Sequence, residues 1–294
     1  MSRRALPPAG RRCQARRVSE TGDARFQLVH PLLTAWRAPG VLQVGFDERS
    51  FVLNGVPEQL PRALELLVEP RTAAEVAARV PGLGVGWVRW LCEHLSTADL
   101  LTSTPSVVRP SVLVYGAGRL ATATMSMLRA GGLSPRPLLA DPDILPEGAL
   151  VVVAAGTAEP DRTLLNRLAE AGTEHLVVRA EPTRAVVGPL VSPATGPCVR
   201  CDDLARARLD RSWPILLAQL CRTPARPDVG LANWAAATAS AQVRSRLAGL
   251  PSELVGRSLE LGIADFRLRA RTWPVQPECG LHPERLPAAG TLAG

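Results

Sequence analysis

The chain has 294 residues, of which 46% are hydrophobic, 21% charged and 4% aromatic. This length allows one large domain or two ordinary ones with cores that need no disulfides, and we expect two. The composition excludes fibrous and wholly disordered proteins, while the net charge of +7 raises the question of nucleic-acid binding.

The cationic side chains are all arginines, because none of the 34 residues counted as lysine or arginine is a lysine. A Walker-type phosphate-binding loop uses a lysine to reach the β- and γ-phosphates. Schiff-base and pyridoxal-phosphate chemistry also require a lysine amine. These function classes are therefore excluded.

The excess of positive charge is concentrated at the N-terminus. Residues 1–20 contain six arginines and one acid, whereas residues 21–110 contain eight arginines and nine acids. We expect residues 1–24 to form a disordered, Arg-rich tail, and we expect no specific nucleic-acid partner. Because no apolar run is long enough for an export signal or a membrane span, we also expect a cytoplasmic chain without a membrane partner.

The first folded segment, residues 25–104, is predicted to be a small winged-helix-like α+β domain. Its apolar patterns alternate first with the period of strands and then with that of helices. The predicted elements are a hairpin of 41–46 and 50–53, a helix over 58–68, a helix that begins at the capping box Thr72–Glu75, and a helix over 85–96.

The third of these helices carries Trp87 and Trp90. They either pack into the domain core or line a groove for a peptide. Residues 21–110 have a net charge of −1, and the helix is not basic, so contact with DNA phosphates is not expected. A linker is predicted over 102–110, where two prolines occur.

The second segment, residues 110–285, is predicted to be a Rossmann-like domain with a doubly wound parallel sheet. Apolar strand patterns alternate here with helical ones, which is the signature of βαβ units. The predicted strands are 111–115, 137–141, 149–155 and 175–179, and the predicted helices end near residue 130 and span about 161–171.

A glycine-rich turn follows the first of these strands. Gly116, Gly118 and Ala121 fit the pattern G-x-G-x-x-G/A, in which the glycines allow a tight turn and a close approach to a pyrophosphate. Asp141, at the end of the second strand, is placed to bind ribose hydroxyls. The pattern indicates a nucleotide site or, alternatively, a turn retained only for packing.

Two cysteine-containing pairs predict a metal site. Cys198 and Cys201 form a C-x₂-C pair, and Cys279 and His282 form a C-x₂-H pair much later in the chain. Four such ligands in two close pairs are typical of a closed, tetrahedral structural zinc site. Cys221 is the alternative fourth ligand.

With these motifs in place, residues 112 to about 282 resemble the ThiF/MoeB-like superfamily, and within it the cyclodehydratase-type group associated with azole-modified peptides. That resemblance implies a paired-Cys zinc site, an adenylating fold, and an N-terminal winged-helix-like domain that clamps the leader of a precursor peptide. The segments that carry it are 186–191, 196–201, 213–220 and 273–279.

The chain also departs from that family. The resemblance implies an Arg and a Lys beside the triphosphate and an Asp after the strand at 150–155, and this chain has no lysine. Asp161 is the carboxylate we expect nearest the magnesium position, and Arg119 is the cation nearest the glycine-rich turn. Arg119 and Ala121 replace family glycines. A transferring phosphoryl group needs preorganised cations, so we expect no catalytic residues.

These observations favour a non-catalytic, ThiF-like scaffold that binds a precursor peptide or small protein and presents it to a partner modifying enzyme. The alternative is an active ATP-dependent adenylyltransferase, and a third candidate is an NAD(P)-binding oxidoreductase. Structural zinc is the expected cofactor, and ATP belongs only to the alternative. The Ala-rich helix at 234–247 packs within the fold or across a homodimer, and residues 286–294 are expected to be flexible.

Overall fold

A computed structural model describes residues 24–48, 50–104, 111–138, 145, 148–192 and 196–281. The chain divides into two compact units, residues 1–107 and 108–294. Almost all of the predicted tail (1–24), most of the predicted linker (102–110) and the predicted C-terminal segment (286–294) lie outside the described residues.

The N-terminal unit contains two three-stranded sheets and three helices. One sheet has the order β5-β1-β6 and the other the order β2-β3-β4, with every neighbouring pair antiparallel. The elements are β1 (Arg25–Leu28), β2 (Thr34–Ala38), β3 (Val41–Val44), β4 (Phe51–Asn54), α1 (Leu60–Leu66), β5 (Arg71–Thr72), α2 (Ala73–Arg79), α3 (Val85–Thr97) and β6 (Leu101–Thr104).

Local sequence signals account for these elements. The hairpin and the three helices form where the patterns predict them, and the capping box is complete, since Thr72 Oγ1 accepts from the backbone N–H of Glu75 at 3.1 Å. In α3 the side chains at helical spacing, Val88, Leu91 and Leu95, are fully buried. The start of the predicted linker is instead strand β6, which pairs with β1.

The C-terminal unit is built on a seven-stranded sheet of order β13-β12-β11-β10-β9-β7-β8. Strands β8, β7, β9 and β10 are parallel, whereas β11, β12 and β13 each join antiparallel. The strands are β7 (Val112–Tyr115), β8 (Arg136–Leu138), β9 (Leu150–Ala154), β10 (Glu174–Ala180), β11 (Arg184–Val191), β12 (Arg257–Gly262) and β13 (Leu268–Thr272).

The predicted parallel sheet is present in β7, β8, β9 and β10, and the prediction fails for β11, β12 and β13, which join antiparallel. Only the turn at 181–183 separates β10 from β11, so no crossover helix can form and the pairing is antiparallel. β12 and β13 form a half-exposed hairpin at the sheet edge. Their mixed charged and apolar residues give no clear strand period.

The described residues of this unit form the helices α4 (Arg119–Ala130), α5 (Arg162–Glu170), α6 (Val199–Leu209), α7 (Trp213–Leu220) and α8 (Val229–Leu247). Helices α4 and α8 pack with alternate strand residues in one core cluster, and α5 and α6 pack with the intervening residues in another. This arrangement is a three-layer α/β sandwich. Within the described ranges, no helix is both long and apolar enough to cross a membrane.

Candidate functional site

The glycine-rich turn after β7 lies at the carboxyl edge of the parallel strands. In the sheet β7 lies between β8 and β9, so the strand order reverses there, and ligands of open α/β sheets bind at such a point. A Cβ on Gly116 would lie 1.9 Å from the carbonyl oxygen of Ala154, whereas a Cβ on Gly118 would meet no atom within 4 Å. Gly116 is thus required for packing, and Gly118 borders open space.

The other predicted nucleotide-binding residues are only partly assembled. Ala121 is buried, with its Cβ 3.7 Å from the place a Gly116 Cβ would take, so it packs α4 against the turn. Arg119 is exposed at the start of α4. Asp141 lies outside the described residues. The backbone N–H groups at the start of α4 remain the clearest anion-binding feature of this turn.

The segment after β9 lies beside the turn, since a Cβ on Gly156 would be 3.1 Å from the carbonyl oxygen of Ala117, and it contains two carboxylates. Asp161, the residue expected at the magnesium position, caps α5 by accepting a hydrogen bond from the backbone N–H of Thr163 at 2.9 Å. Glu159 is closer to the end of β9 and is buried, with 3% of its surface exposed. Glu159 is not among the residues predicted from the sequence, although Arg179, which interrupts the apolar run of β10, is a signal that a buried partner exists.

Glu159 is the centre of a buried group of charges that we call the Glu159 cluster. Its carboxylate forms an ion pair with Arg179, accepts from Arg162 at 2.9 Å, and lies 3.5 Å from the guanidinium of Arg206. The members of the cluster are Glu159, Arg162, Arg179, Asp202, Asp203 and Arg206.

Helix α6 supplies the remaining acids of the cluster. Asp203 receives two hydrogen bonds from Arg162, at 2.7 and 3.0 Å, in the forked geometry typical of arginine and carboxylate. Asp202 pairs with Arg206 at 2.9 Å. The cluster therefore joins the β9–α5 segment, strand β10 and helix α6 at the carboxyl edge of the sheet.

The electrostatics of the cluster favour a charged carboxylate at Glu159. Burial raises the pKa of Glu159, but the attraction of Arg179 and Arg162 outweighs this effect, so its pKa lies below the usual value. Burial lowers the pKa of Arg179 and raises the pKa of Asp202. Glu159 is therefore engaged in ion pairs within the fold, whereas Asp161 is exposed and uses one carboxylate oxygen to cap α5.

Three of the predicted metal ligands converge on one buried point. The Sγ atoms of Cys198, Cys201 and Cys279 all lie within 4.8 Å of one another, and those of Cys198 and Cys279 are 3.4 Å apart. His282 lies outside the described residues. Cys221 does not join the group; its thiol donates to the carbonyl oxygen of Pro160 at 3.3 Å.

The local structure explains why these thiols meet. Cys198 is the N-cap of α6, and the backbone N–H of Cys201 donates to the carbonyl of Cys198 at 3.0 Å, which folds the C-x₂-C pair into a tight turn. A hydrogen bond from the Cys198 thiol, together with those from backbone N–H groups, lowers the pKa of Cys201 to about 5 against the effect of burial. The same pairing and burial raise the pKa of Cys198. Three thiols so arranged suit a soft or borderline metal ion.

The N-terminal unit carries an aromatic face on α3. The rings of Trp87 and Trp90 pack edge to face with centroids 5.4 Å apart, and the ring of His94 lies 4.0 Å from that of Trp90. Trp90 packs partly against the core, while 38% of Trp87 is exposed. Of the two expectations for these residues, core packing thus describes Trp90, and Trp87 remains accessible.

Comparisons with known proteins show which solved structures share this fold. No family model and no curated protein matches the sequence. A heterocyclase structure determined in complex with substrate and cofactor superposes with a TM-score of 0.59 and 16% identity, over 87% of this chain and 39% of that chain. The heterocyclase TruD superposes with a TM-score of 0.54 and 14% identity, over 87% and 42% of the two chains.

Because the identities are low, these similarities show a shared fold and nothing more. The chain spans about two fifths of the length of the two heterocyclases. The fold is therefore that of the heterocyclase region to which this chain corresponds, a mixed α/β sheet domain together with a smaller α+β unit.

Proposed function

We propose that this chain is a scaffold that binds a precursor peptide through its N-terminal unit and presents it to a separate modifying enzyme. Residues 25–104 form the peptide-binding, winged-helix-like domain in this proposal, and residues 110–285 form a degenerate ThiF-like domain.

The free edges of the β2-β3-β4 sheet carry the proposal. Within the described part of the chain, β2 and β4 each pair only with β3. An extended peptide can add to such an edge as a further strand, with main-chain hydrogen bonds for affinity and side-chain pockets for specificity. Trp36 on β2 is 41% exposed and Trp87 on α3 is 38% exposed, so aromatic anchors are available in the same unit.

The absence of catalysis is supported by the carboxyl edge of the sheet. Adenylation needs cations for the triphosphate and a carboxylate for Mg²⁺. The chain has no lysine, Glu159 is buried in ion pairs, and Asp161 caps α5. Arg119 is exposed beside the glycine-rich turn, but an arginine does not substitute freely for a lysine at a phosphate.

We further propose that Cys198, Cys201 and Cys279 hold a structural Zn²⁺, with His282 as the fourth ligand. The ion would fix the N-terminus of α6 to the segment at 277–279. Purified protein should contain about one zinc per chain by mass spectrometry, and Cys279→Ser should lose it and lower the melting temperature. Cys221→Ser is the matched control and should retain the metal; zinc well below one per chain in the unmodified protein contradicts the site.

Peptide binding is tested with the full chain and fluorescein-labelled candidate precursor peptides, chosen from short open reading frames next to its gene. We expect a rise in fluorescence anisotropy, and we expect hydrogen exchange to slow in β2 or β4, which identifies the edge used. Trp87→Ala should weaken binding about tenfold or more, as expected for an aromatic anchor. Phe266→Ala, another exposed aromatic residue but in the C-terminal unit, should leave binding unchanged.

Two outcomes would contradict this function. Exchange protection confined to the C-terminal unit would remove the N-terminal unit as the peptide site. ATP-dependent pyrophosphate exchange in the presence of the peptide would instead show the alternative, an active adenylyltransferase.

The oxidoreductase is the least supported candidate. His175, the histidine on a strand of the sheet domain, lies at the amino end of β10 and is 1% exposed, whereas the glycine-rich turn is at the carboxyl edge. A hydride-transfer base would have to stand beside the nicotinamide on the turn side. We therefore expect no hydride transfer from NADH, which the absorbance of the reduced nicotinamide would measure.

A further inference from the structure

Helix α7 is the most apolar helix of the C-terminal unit, and none of its residues is buried. Its sequence, WPILLAQL, has no charged side chain. Leu209, Ile215 and Leu216 are 86%, 68% and 42% exposed. An apolar helix normally faces a core, and exposed clusters of large apolar side chains mark interaction surfaces.

Hydrogen bonds hold α7 in this exposed position. At its start, the indole N–H of Trp213 donates to Asp203 Oδ1 at 3.1 Å, and the guanidinium of Arg206 stacks 4.6 Å from the Trp213 ring. At its end, the backbone N–H of Glu159 donates to the carbonyl of Leu220 at 3.3 Å. The Glu159 cluster thus anchors both ends of α7 and leaves its apolar side outward.

Arginines flank α7 in the sequence at both ends. Arg211 precedes α7, and Arg222 and Arg226 follow it; all three are exposed, and none forms an ion pair within the described residues. Of the exposed acids near the two ends of α7, Asp210 accepts a hydrogen bond from the backbone N–H of Ser212 at 2.8 Å and Asp161 caps α5, so the three arginines outnumber them. The surface therefore has an apolar centre and a positive rim.

We propose that this α7 surface, formed by Leu209, Arg211, Ile215, Leu216, Arg222 and Arg226, docks a partner protein through a segment with acidic side chains around an apolar centre. Charge complementarity selects this occupant, because opposite potentials steer association and like charges oppose it. A second copy placed on the same surface would bring arginines against arginines. A membrane is also less suitable, since α7 is only about 12 Å long and offers little apolar area for insertion.

This inference rests on the proposed function in one respect: the docked protein would be the modifying enzyme. The α7 surface is separate in sequence from the proposed peptide site, which lies in the N-terminal unit.

The test uses the full chain and two labelled synthetic amphipathic helices that share their leucine and phenylalanine positions. One carries glutamates at the polar positions and the other carries lysines. We expect the glutamate peptide to bind about tenfold more tightly at low salt and less tightly as salt rises, since exposed charges are screened. Ile215→Ser with Leu216→Ser should abolish binding, and Arg211→Glu with Arg222→Glu should reverse the preference.

Leu33→Ser, at an apolar position of the N-terminal unit that is 74% exposed, is the matched control and should bind like the unmodified chain. Equal binding of both peptides, or binding that survives the α7 variants, overturns the proposal. So does α7-dependent binding to phosphatidylglycerol vesicles, or self-association in sedimentation that the α7 variants abolish. No precursor peptide is present, so failure here is distinguishable from failure of peptide binding by the N-terminal unit.

Discussion

Gly116 and Gly118 belong to one motif, yet they have different physical roles. Both have positive φ, and Gly118, with φ of +83° and ψ of −163°, lies in a region open almost only to glycine. Only at Gly116 is there also no room for a Cβ, because that atom would lie 1.9 Å from the carbonyl oxygen of Ala154. The sequence pattern treats the two alike, because the contact with Ala154 exists only once β7 and β9 are paired.

This difference predicts unequal costs of substitution. Gly118→Ala should lower the free energy of unfolding by about 1–3 kcal/mol, the cost of the backbone conformation alone. Gly116→Ala should cost more, because the backbone of Ala154 must move as well. Urea unfolding of the two variants measures this order, and Gly148→Ala, at another positive-φ glycine with open space, serves as the conformation-only control. Equal losses at 116 and 118 would contradict the packing role of Gly116.

His175 introduces a pH dependence. Burial lowers its pKa from 6.5 to about 4, although its Nδ1–H donates to the carbonyl of Thr173 at 2.9 Å. Below pH 6.5 His175 becomes protonated in the unfolded chain but stays neutral in the folded chain. The free energy of unfolding therefore decreases as the pH falls from 6.5 towards 4. At pH 5 this loss amounts to about 2 kcal/mol.

His175→Asn should therefore reduce the difference in unfolding free energy between pH 7.5 and pH 5 by about 2 kcal/mol. Urea titrations at both pH values measure this. His30→Asn changes an exposed histidine and should leave the difference unaltered. An unchanged pH dependence in His175→Asn would mean that the buried imidazole accepts a proton in the folded state.

The sequence identifies the helices and turns whose signals are local. The capping box of α2, the apolar spacing of α3 and the glycine-rich turn before α4 each carry their cause within a few residues. The antiparallel strands β11 to β13 do not, because their pairing depends on the neighbours to which the chain returns. The Glu159 cluster is unpredictable for the same reason, since its members come from three elements distant in sequence.

The Glu159 cluster should contribute strongly to the free energy of unfolding, because it fixes α6 in place. Glu159→Gln leaves Arg162, Arg179 and Arg206 around a neutral amide, and removing one partner of a buried pair costs about 3–5 kcal/mol. Urea unfolding should show this loss. Glu181→Gln, which breaks the more exposed pair with Arg184 at 3.2 Å, should cost at most about 1 kcal/mol. Similar losses in the two variants would contradict the central role of Glu159.

The change of the apolar sequence pattern near residue 105 indicates two domains, and the chain divides into two compact units between residues 107 and 108. The cysteine spacing likewise predicts that Cys198, Cys201 and Cys279 lie together, as they do. Each close pair of metal ligands is a local signal, and the sequence contains two such pairs. The exposure of α7 could not be predicted, since an apolar sequence such as WPILLAQL is typical of a buried helix.

The two units should fold independently, because each has a hydrophobic core of its own. The core of the N-terminal unit extends from Phe26 to Leu101, and the two core clusters of the C-terminal unit begin at Val112 and Leu113. Fragments 1–107 and 108–294 should each show a cooperative thermal transition by circular dichroism. Fragment 108–294 should keep the metal, and fragment 1–107 should bind the precursor peptide with nearly the affinity of the full chain. A fragment that unfolds without cooperativity, while the full chain melts in one step, would show that the units depend on each other for stability.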